Sequence, residues 1–271
     1  MKFSRQKDGK RLEGKEALQD SIDCGQLAGE YITDMIHLEQ GHTQQILEYE
    51  KTFWPFILIS KKRYTGDKYE LNTEDCKRTS MGIVLKRRDN APIVKYVFGN
   101  VIEIIMMEKN FEKAKAWLND TLQRIRGKEF DMSYFVITKS LRGYYKNPKQ
   151  IAHKVLADRM AERDPGNKPK SNDRIPYAYI KMHYDDLYDT HNPYKSGKRK
   201  GEDRERNVLQ GDRIEHVDYI KSHDEVNLDY DFYITNQIMN PVKQVLDLHM
   251  DPKETAELFA GIMKKKSNEE V

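Results

Sequence analysis

Cysteine is scarce: Cys24 and Cys76 are the only two in 271 residues, and neither sits in a CxxC pair or a cysteine–histidine cluster. That excludes a disulfide framework and a zinc ribbon, and leaves two reduced thiols of an intracellular protein as the plain reading. Long apolar runs are missing too. No stretch approaches the roughly 18 residues of a membrane helix, and the run around Trp54 to Ile59 is interrupted by Pro55. Met1 to Asp8 carries basic side chains without a following apolar core, so no secretory signal is expected there. Charge of one sign is not in excess: 47 Lys and Arg against 44 Asp and Glu leave +3. So small a total says little about nucleic acid. The eight histidines are scattered without ligand spacing and read as polar or loop residues.

What is present is a wet composition, 38% hydrophobic and 34% charged, long enough for one or two domains with proper cores. Basic residues bunch at 61–63, 86–88 and 195–206. Residues 1–4 read as a strand followed by a Lys/Asp/Gly turn at 7–10. Leu18, Ile22, Leu27, Tyr31, Ile32, Met35 and Ile36 recur at helical spacing, which predicts one amphipathic helix from Gly14 to about His37. Three strands are expected between Ile46 and Tyr69: a partly alternating one over 46–51, a short buried one over Phe56 to Ile59, and one entered through Arg63. This α+β lobe is expected to end near residue 88.

The remainder reads as mainly helical, with segments at 92–108, 111–126, 151–162, 231–248 and 252–265. Phe111, Ala114, Leu118, Leu122 and Ile125 form the core stripe of the second. Residues 184–210 are rich in charge and poor in large aliphatics, with Pro193, Gly197 and Gly201 as breakers, so a loop-rich or disordered insertion is expected. Its flanks echo each other: Asn172-Asp173-Arg174-Ile175 with Tyr179-Ile180, and Gly211-Asp212-Arg213-Ile214 with Tyr219-Ile220. The insertion therefore reads as splitting one local structure into two similar strands. The six basic residues of Lys195 to Arg206 read as a solvated loop, with an auxiliary DNA contact or a nuclear-targeting element as alternatives.

Lys61-Lys62-Arg63-Tyr64 is the most informative tetrapeptide. Strand alternation would place Lys61 and Arg63 on one side and Lys62 and Tyr64 on the other. Cations on a firm strand can meet phosphates without the entropy cost of a floppy tail, and tyrosine adds a flat face and a donor. By itself the tetrapeptide reads first as a charged strand end in solvent, and its context reverses that. In context, Leu47-Glu48-Tyr49-Glu50-Lys51 running to Lys61-Lys62-Arg63-Tyr64 resembles family B DNA polymerases of the delta type. The resemblance continues through Gly82, Arg87-Arg88-Asp89-Asn90-Ala91-Pro92 and Val136-Ile137-Thr138-Lys139-Ser140-Leu141. Further along it takes in Ala157-Asp158-Arg159-Met160, Arg163-Asp164-Pro165-Gly166, Asp173-Arg174-Ile175-Pro176-Tyr177 and Asp231-Phe232-Tyr233 with Gln237 and Pro241. The matches are collinear over roughly 46–181 and 211–248.

The resemblance implies a C-terminal part of the polymerase palm over 1–88, followed by a mainly helical thumb over 89–271. It implies a DNA-directed DNA polymerase in which Lys61, Lys62, Arg63 and Tyr64 contact the primer strand and minor groove. Lys139, Arg142 and Arg174 are the thumb candidates for phosphate contact, with a solvated helix end as the other reading of Arg142. The family's Tyr-Gly-Asp-Thr-Asp-Ser motif, whose aspartates hold Mg2+, is missing from the sequence, as is the fingers signature Lys-x3-Asn-Ser-x-Tyr-Gly. The chain is therefore expected to hold no catalytic residue and no metal, and to be inactive alone. Its expected partners are primer-template DNA, an N-terminal part with exonuclease, fingers and catalytic palm, and a sliding clamp, with no membrane. Asp185-Asp186 reads as solvated acid, Asp229 and Asp231 as a strand-like pair, and Glu48 and Glu50 as palm-strand residues. A large DNA virus and a nuclear or viral replication compartment are the expected setting, and the start of the chain reads either as a gene split just after the aspartate motif or as a cloned or proteolysed fragment. A stand-alone, non-catalytic duplex-binding module and an inert structural subunit are the alternatives.

Overall fold

The computed structural model describes residues 6–7, 10–41, 44–86 and 89–264. Its backbone divides into two units, Met1–Lys86 and Arg87–Val271. The strand expected at 1–4, the middle of the turn at 7–10, and Arg87 and Arg88 lie outside the described residues.

The first unit opens with a two-residue ladder, β1 (Gln6–Lys7) against β2 (Lys10–Arg11). Helix α1 (Gly14–Gln40) follows, closed by Gly41 at φ +66°, whose N–H donates to the His37 carbonyl. Only the N-terminal half of its apolar face is covered. Leu18 and Ile22 pack with Tyr69 and Tyr49, whereas Leu27 and Tyr31 are exposed.

The strand expected over 46–51 forms no ladder; it is extended chain laid along α1. Its hydrogen bonds go to the helix instead, as where the Leu47 N–H donates to Thr33 Oγ1 at 2.9 Å. Gly25 and Gly29, one turn apart, leave a groove for it. A Cβ on Gly29 would stand 2.7 Å from the Leu47 carbonyl oxygen, and one on Gly25 would meet the Tyr49 ring.

The sheet consists of β3 (Thr52–Ser60), β4 (Arg63–Tyr69) and β5 (Lys77–Met81), antiparallel in that order. The expected buried run Phe56 to Ile59 is corrected: Phe56 is 43% and Leu58 56% exposed, while Ile57 and Ile59 face the other way. One face of an edge strand is solvated here, so the side chains alternate rather than all burying. The register shifts between Phe53 and Phe56, around Pro55, which has no N–H to give to the ladder. The central strand buries polar groups only in pairs. Thr65 bonds Ser80 at 2.8 Å, and Asp67 is ion-paired with Arg78.

In the second unit, α2 (Pro92–Glu103) runs into a π-helical turn, Ile104–Glu108, and α3 (Phe111–Arg126) starts at an Asn110 cap. α2 buries Ile93, Val97, Phe98 and Val101; α3 buries the expected stripe Ala114, Leu118, Leu122 and Ile125, with Phe111 only half-buried. Then come β6 (Ile137–Ser140), α4 (Ala152–Arg163) and β7 (Arg174–Tyr179). The insertion holds α5 (Tyr184–Leu187) and a ladder of β8 (Tyr188–Asp189) with β9 (Arg204–Glu205), the rest being turns. β10 (Ile214–His216) and α6 (Val217–Ser222) follow, then α7 (Tyr230–Phe232), the π-helical turn Tyr233–Ile238, α8 (Met239–Leu246) and α9 (Pro252–Lys264).

The second sheet has the order β10-β7-β6, all antiparallel. The two echoing segments are thus neighbours, β7 and β10, and the insertion is the long loop between paired strands. The echo ends early, because Tyr219 and Ile220 of the second copy lie in α6. Helices with small antiparallel sheets make the chain α+β, as expected.

Candidate nucleic-acid interface

Lys61 and Lys62 do not alternate along a strand; they are the two-residue turn joining β3 to β4, with Ser60 paired to Arg63. Both lysines are exposed, and Lys62 takes φ +63°. The turn is buttressed from β5. Gly82, at φ +62°, passes so close that a Cβ would overlap the Lys62 carbonyl oxygen, and the Arg63 Nε–H donates to the Gly82 carbonyl at 3.4 Å. The cations therefore stand on a short, braced hairpin tip.

Tyr64 points into an aromatic group beside that tip. Its ring centroid lies 5.6 Å from both Phe53 and Phe56, which are 5.2 Å apart. The group needs Gly66 beneath it: a Cβ there would stand 2.9 Å from the Phe56 ring and from the Pro55 carbonyl. Exposed Phe56 and Leu58 flank two exposed ammonium groups, so this edge offers charge and flat apolar surface together. Sequence reasoning missed Phe53, Phe56 and Gly66, because the bulge that gathers the rings is set by strand pairing.

Lys139, Arg142 and Arg174 lie near one end of the β6–β7 ladder of the second unit, with Lys139 and Arg174 on opposite faces of it. Ser140 pairs with Arg174 and Lys139 with Ile175 at the end of the β6–β7 ladder. Arg142 is exposed and lies in the loop just past β6, with Leu141 between, so it is at no helix end and the solvated-helix-end reading is corrected. Its backbone is held: the Arg142 N–H donates to Tyr145 Oη at 2.7 Å, and that hydroxyl meets His153 Nε2 at 3.0 Å. Burial pushes the His153 pKa down, and the nearby Lys139 and Arg142 cations add to that, against an opposing backbone bond at Ser140. A neutral imidazole under two cations is what this edge favours. Tyr144, 81% exposed, lies two residues beyond Arg142 and was not singled out from sequence.

The acids behave otherwise than metal ligands. Asp229 caps α7, accepting the Phe232 N–H at 2.9 Å, and Asp231 is ion-paired with Arg126 at 3.0 Å. The strand-like pairing expected of them is therefore wrong, since both belong to a helix start. Glu48 and Glu50 are not on a strand; Glu50 is exposed and ion-paired with Lys51. Asp186 accepts the His183 N–H at the start of α5. Among the described residues no three His, Cys, Asp or Glu side chains gather where one metal ion could sit. The donors among the described residues do not fit a two-metal centre.

Two matched motifs turn out to hold the fold. Arg163 reaches buried Glu215 at 3.0 Å, and Arg159 donates to the Gly211 and Ile214 carbonyls at 3.0 and 2.6 Å. They fasten α4 to the start of β10, a role invisible from their local spacing.

The model of DNA polymerase family B matches residues 16–249. The DNA polymerase of Pyramimonas orientalis virus is 47% identical over 234 residues, 86% of this chain and 17% of that protein. That of Acanthamoeba polyphaga mimivirus is 41% identical over 255 residues, 94% of this chain and 13% of that protein. The DNA polymerase delta catalytic subunit of Schizosaccharomyces pombe is 29% identical, covering 93% of this chain and 22% of that subunit. A solved family B DNA polymerase from the archaeon Pyrobaculum calidifontis superposes with a TM-score of 0.52 at 18% identity, over 80% of this chain and 24% of that one. The chain thus spans between 13% and 22% of the length of these curated relatives.

Proposed function

The chain belongs to DNA polymerase family B, and from that premise we propose that it grips primer-template DNA: the Lys61–Tyr64 hairpin holds the primer end, and the Lys139, Arg142 and Arg174 edge holds duplex phosphates. The observation that carries this reading is the braced hairpin tip, where two unhindered lysines project beside an aromatic face. Lys61 and Lys62 supply charge to the backbone. The Tyr64 hydroxyl is the donor toward a sugar or base edge, positioned by Phe53 and Phe56. On the second unit the Tyr145–His153 pair fixes the backbone that presents Arg142.

Attack of the primer 3′-hydroxyl on a nucleotide, with Mg2+, is assigned to a region carrying the Asp-Thr-Asp pair, in the same polypeptide or another. This chain's share is orientation and retention of product duplex. Such work places it where viral or nuclear DNA is copied.

Binding to a labelled primer-template as salt is raised tests the reading. Each phosphate neutralised by a lysine contributes about −0.9 to the log–log slope. Replacing Lys61 and Lys62 by alanine is expected to flatten the slope by roughly 2 and to weaken binding at low salt. An unchanged slope and affinity in that double variant would remove the hairpin from the interface.

A further inference from the structure

The loop between β8 and β9 separates its charges along its length. At its base the Tyr194 N–H donates to the Glu202 carbonyl at 2.9 Å and the Gly201 N–H to the Tyr194 carbonyl at 3.0 Å. Within this closure the Lys200 N–H bonds the Gly197 carbonyl and the Glu202 N–H the Arg199 carbonyl, while Gly197 and Gly201 supply the left-handed turns at φ +86° and +89°.

The acids of the stem are engaged. Glu202 and Glu205 both accept from Arg199, at 2.6 and 3.1 Å, and Asp203 accepts from Tyr184 Oη at 3.0 Å. Arg199 also lies over the Tyr194 ring, 4.9 Å from its centroid, with Arg204 at 5.5 Å from the same ring. Arg199 is therefore a brace of the loop. The three remaining cations of the tip, Lys195, Lys198 and Lys200, are exposed and have no acidic partner among the described residues. Three exposed like charges within six residues of a closed loop concentrate positive charge at the tip, which a polyanion outside the chain would complement.

We infer that the 195–200 tip is a separate contact for the phosphate backbone of DNA, outside both edges assigned above. It rests on the proposed reading only in taking DNA as the polyanion. Lysine ammonium groups on a loop make point-charge contacts, so the contact adds affinity and salt dependence without base preference.

The experiment uses the whole chain in three forms: wild type, the hairpin variant Lys61→Ala/Lys62→Ala, and the tip variant Lys195→Ser/Lys198→Ser/Lys200→Ser. Each is titrated against a labelled primer-template duplex between about 50 and about 200 mM salt. Three lost contacts flatten the slope by about 2.7, so the loss of affinity across that range shrinks by a factor of roughly 40 in the tip variant. Lys195→Arg/Lys198→Arg/Lys200→Arg is expected to restore it, and thermal melting to stay unchanged throughout. Wild-type slope and affinity in the tip variant, with weakened binding in the hairpin variant, would overturn the tip contact and leave the grip standing. Binding of the wild type that ignores salt would overturn both. Arginine replacements that fail to restore binding would also count against a backbone contact.

Discussion

Tyr64 shows how one residue can answer to two demands. From sequence it leaves the core as a solvated group after a buried strand; in the fold its ring is packed between Phe53 and Phe56. Aromatic pairs contribute about 0.5–1.5 kcal/mol beyond the area they bury. Tyr64→Ala is therefore expected to cost roughly 1–3 kcal/mol of stability along with DNA affinity. Tyr64→Phe keeps both ring contacts and isolates the hydroxyl. It should melt like wild type while binding primer-template more weakly. Equal affinity of the phenylalanine variant would deny the hydroxyl a part, and an alanine variant with wild-type melting would deny the packing. Gly82 is constrained twice, by its positive φ and by the Lys62 carbonyl against it. Gly82→Ala is expected to cost about 1–3 kcal/mol and to lower DNA affinity in the direction of the lysine variants, because the turn must shift. An alanine variant that melts and binds unchanged would mean the brace is not needed.

Among the elements, the long loop between β7 and β10 is the clearest case of a segment that folds on itself. Tyr184 stacks on Tyr188 at 4.5 Å, β8 pairs with β9, and the Arg206 N–H returns to the Leu187 carbonyl at 2.8 Å. The strands it joins are closed beneath it, Tyr179 against Ile214 and the Ile180 N–H on the Arg213 carbonyl at 2.9 Å. Shortening a loop whose base is already fixed changes closure entropy only slowly, about 0.6 kcal/mol per halving of length. Replacing 184–210 by a short Gly/Ser linker is thus expected to leave the melting temperature within a few degrees, a shift on the order of 1 kcal/mol. Loss of cooperative melting would show that the segment packs on the rest. Gly25 and Gly29 teach the opposite lesson, since a helix with a groove took up the 46–51 segment that alternation had marked as a strand.

At the scale of the whole molecule, long-range polar ties decide which segments meet. The Tyr233 hydroxyl, fully buried, donates to the Phe135 carbonyl at 2.6 Å and accepts the Tyr179 N–H at 2.9 Å. Burial raises its pKa, so it stays a neutral donor across the working range. Tyr233→Phe leaves both backbone groups unpaired in the interior, at about 1–3 kcal/mol. Denaturant unfolding of the second unit should show that loss as a lower midpoint, and an unchanged midpoint would mean that neither bond is formed. The Asp231-Phe232-Tyr233 motif was legible as a family match, yet its partners lie 54 and 98 residues away, beyond the reach of local pattern.

Helix positions, the α+β class and the polymerase family follow from sequence alone, because periodicity of 3.6 and ordered motifs are written along the chain. That Lys139, Arg142 and Arg174 lie in one region could be suspected from those motifs, but not the ladder end beside which they lie. Where Lys61 and Lys62 point, which rings hold Tyr64, and why Phe56 and Leu58 stay exposed were decided only by strand pairing. A two-residue turn, a register shift and a glycine just past the third strand reverse the faces that simple alternation assigns. In the same way Glu215 became a buried anchor for Arg159 and Arg163 only once β10 lay beside α4. A charge finds its partner in space, and its distance along the chain gives no warning.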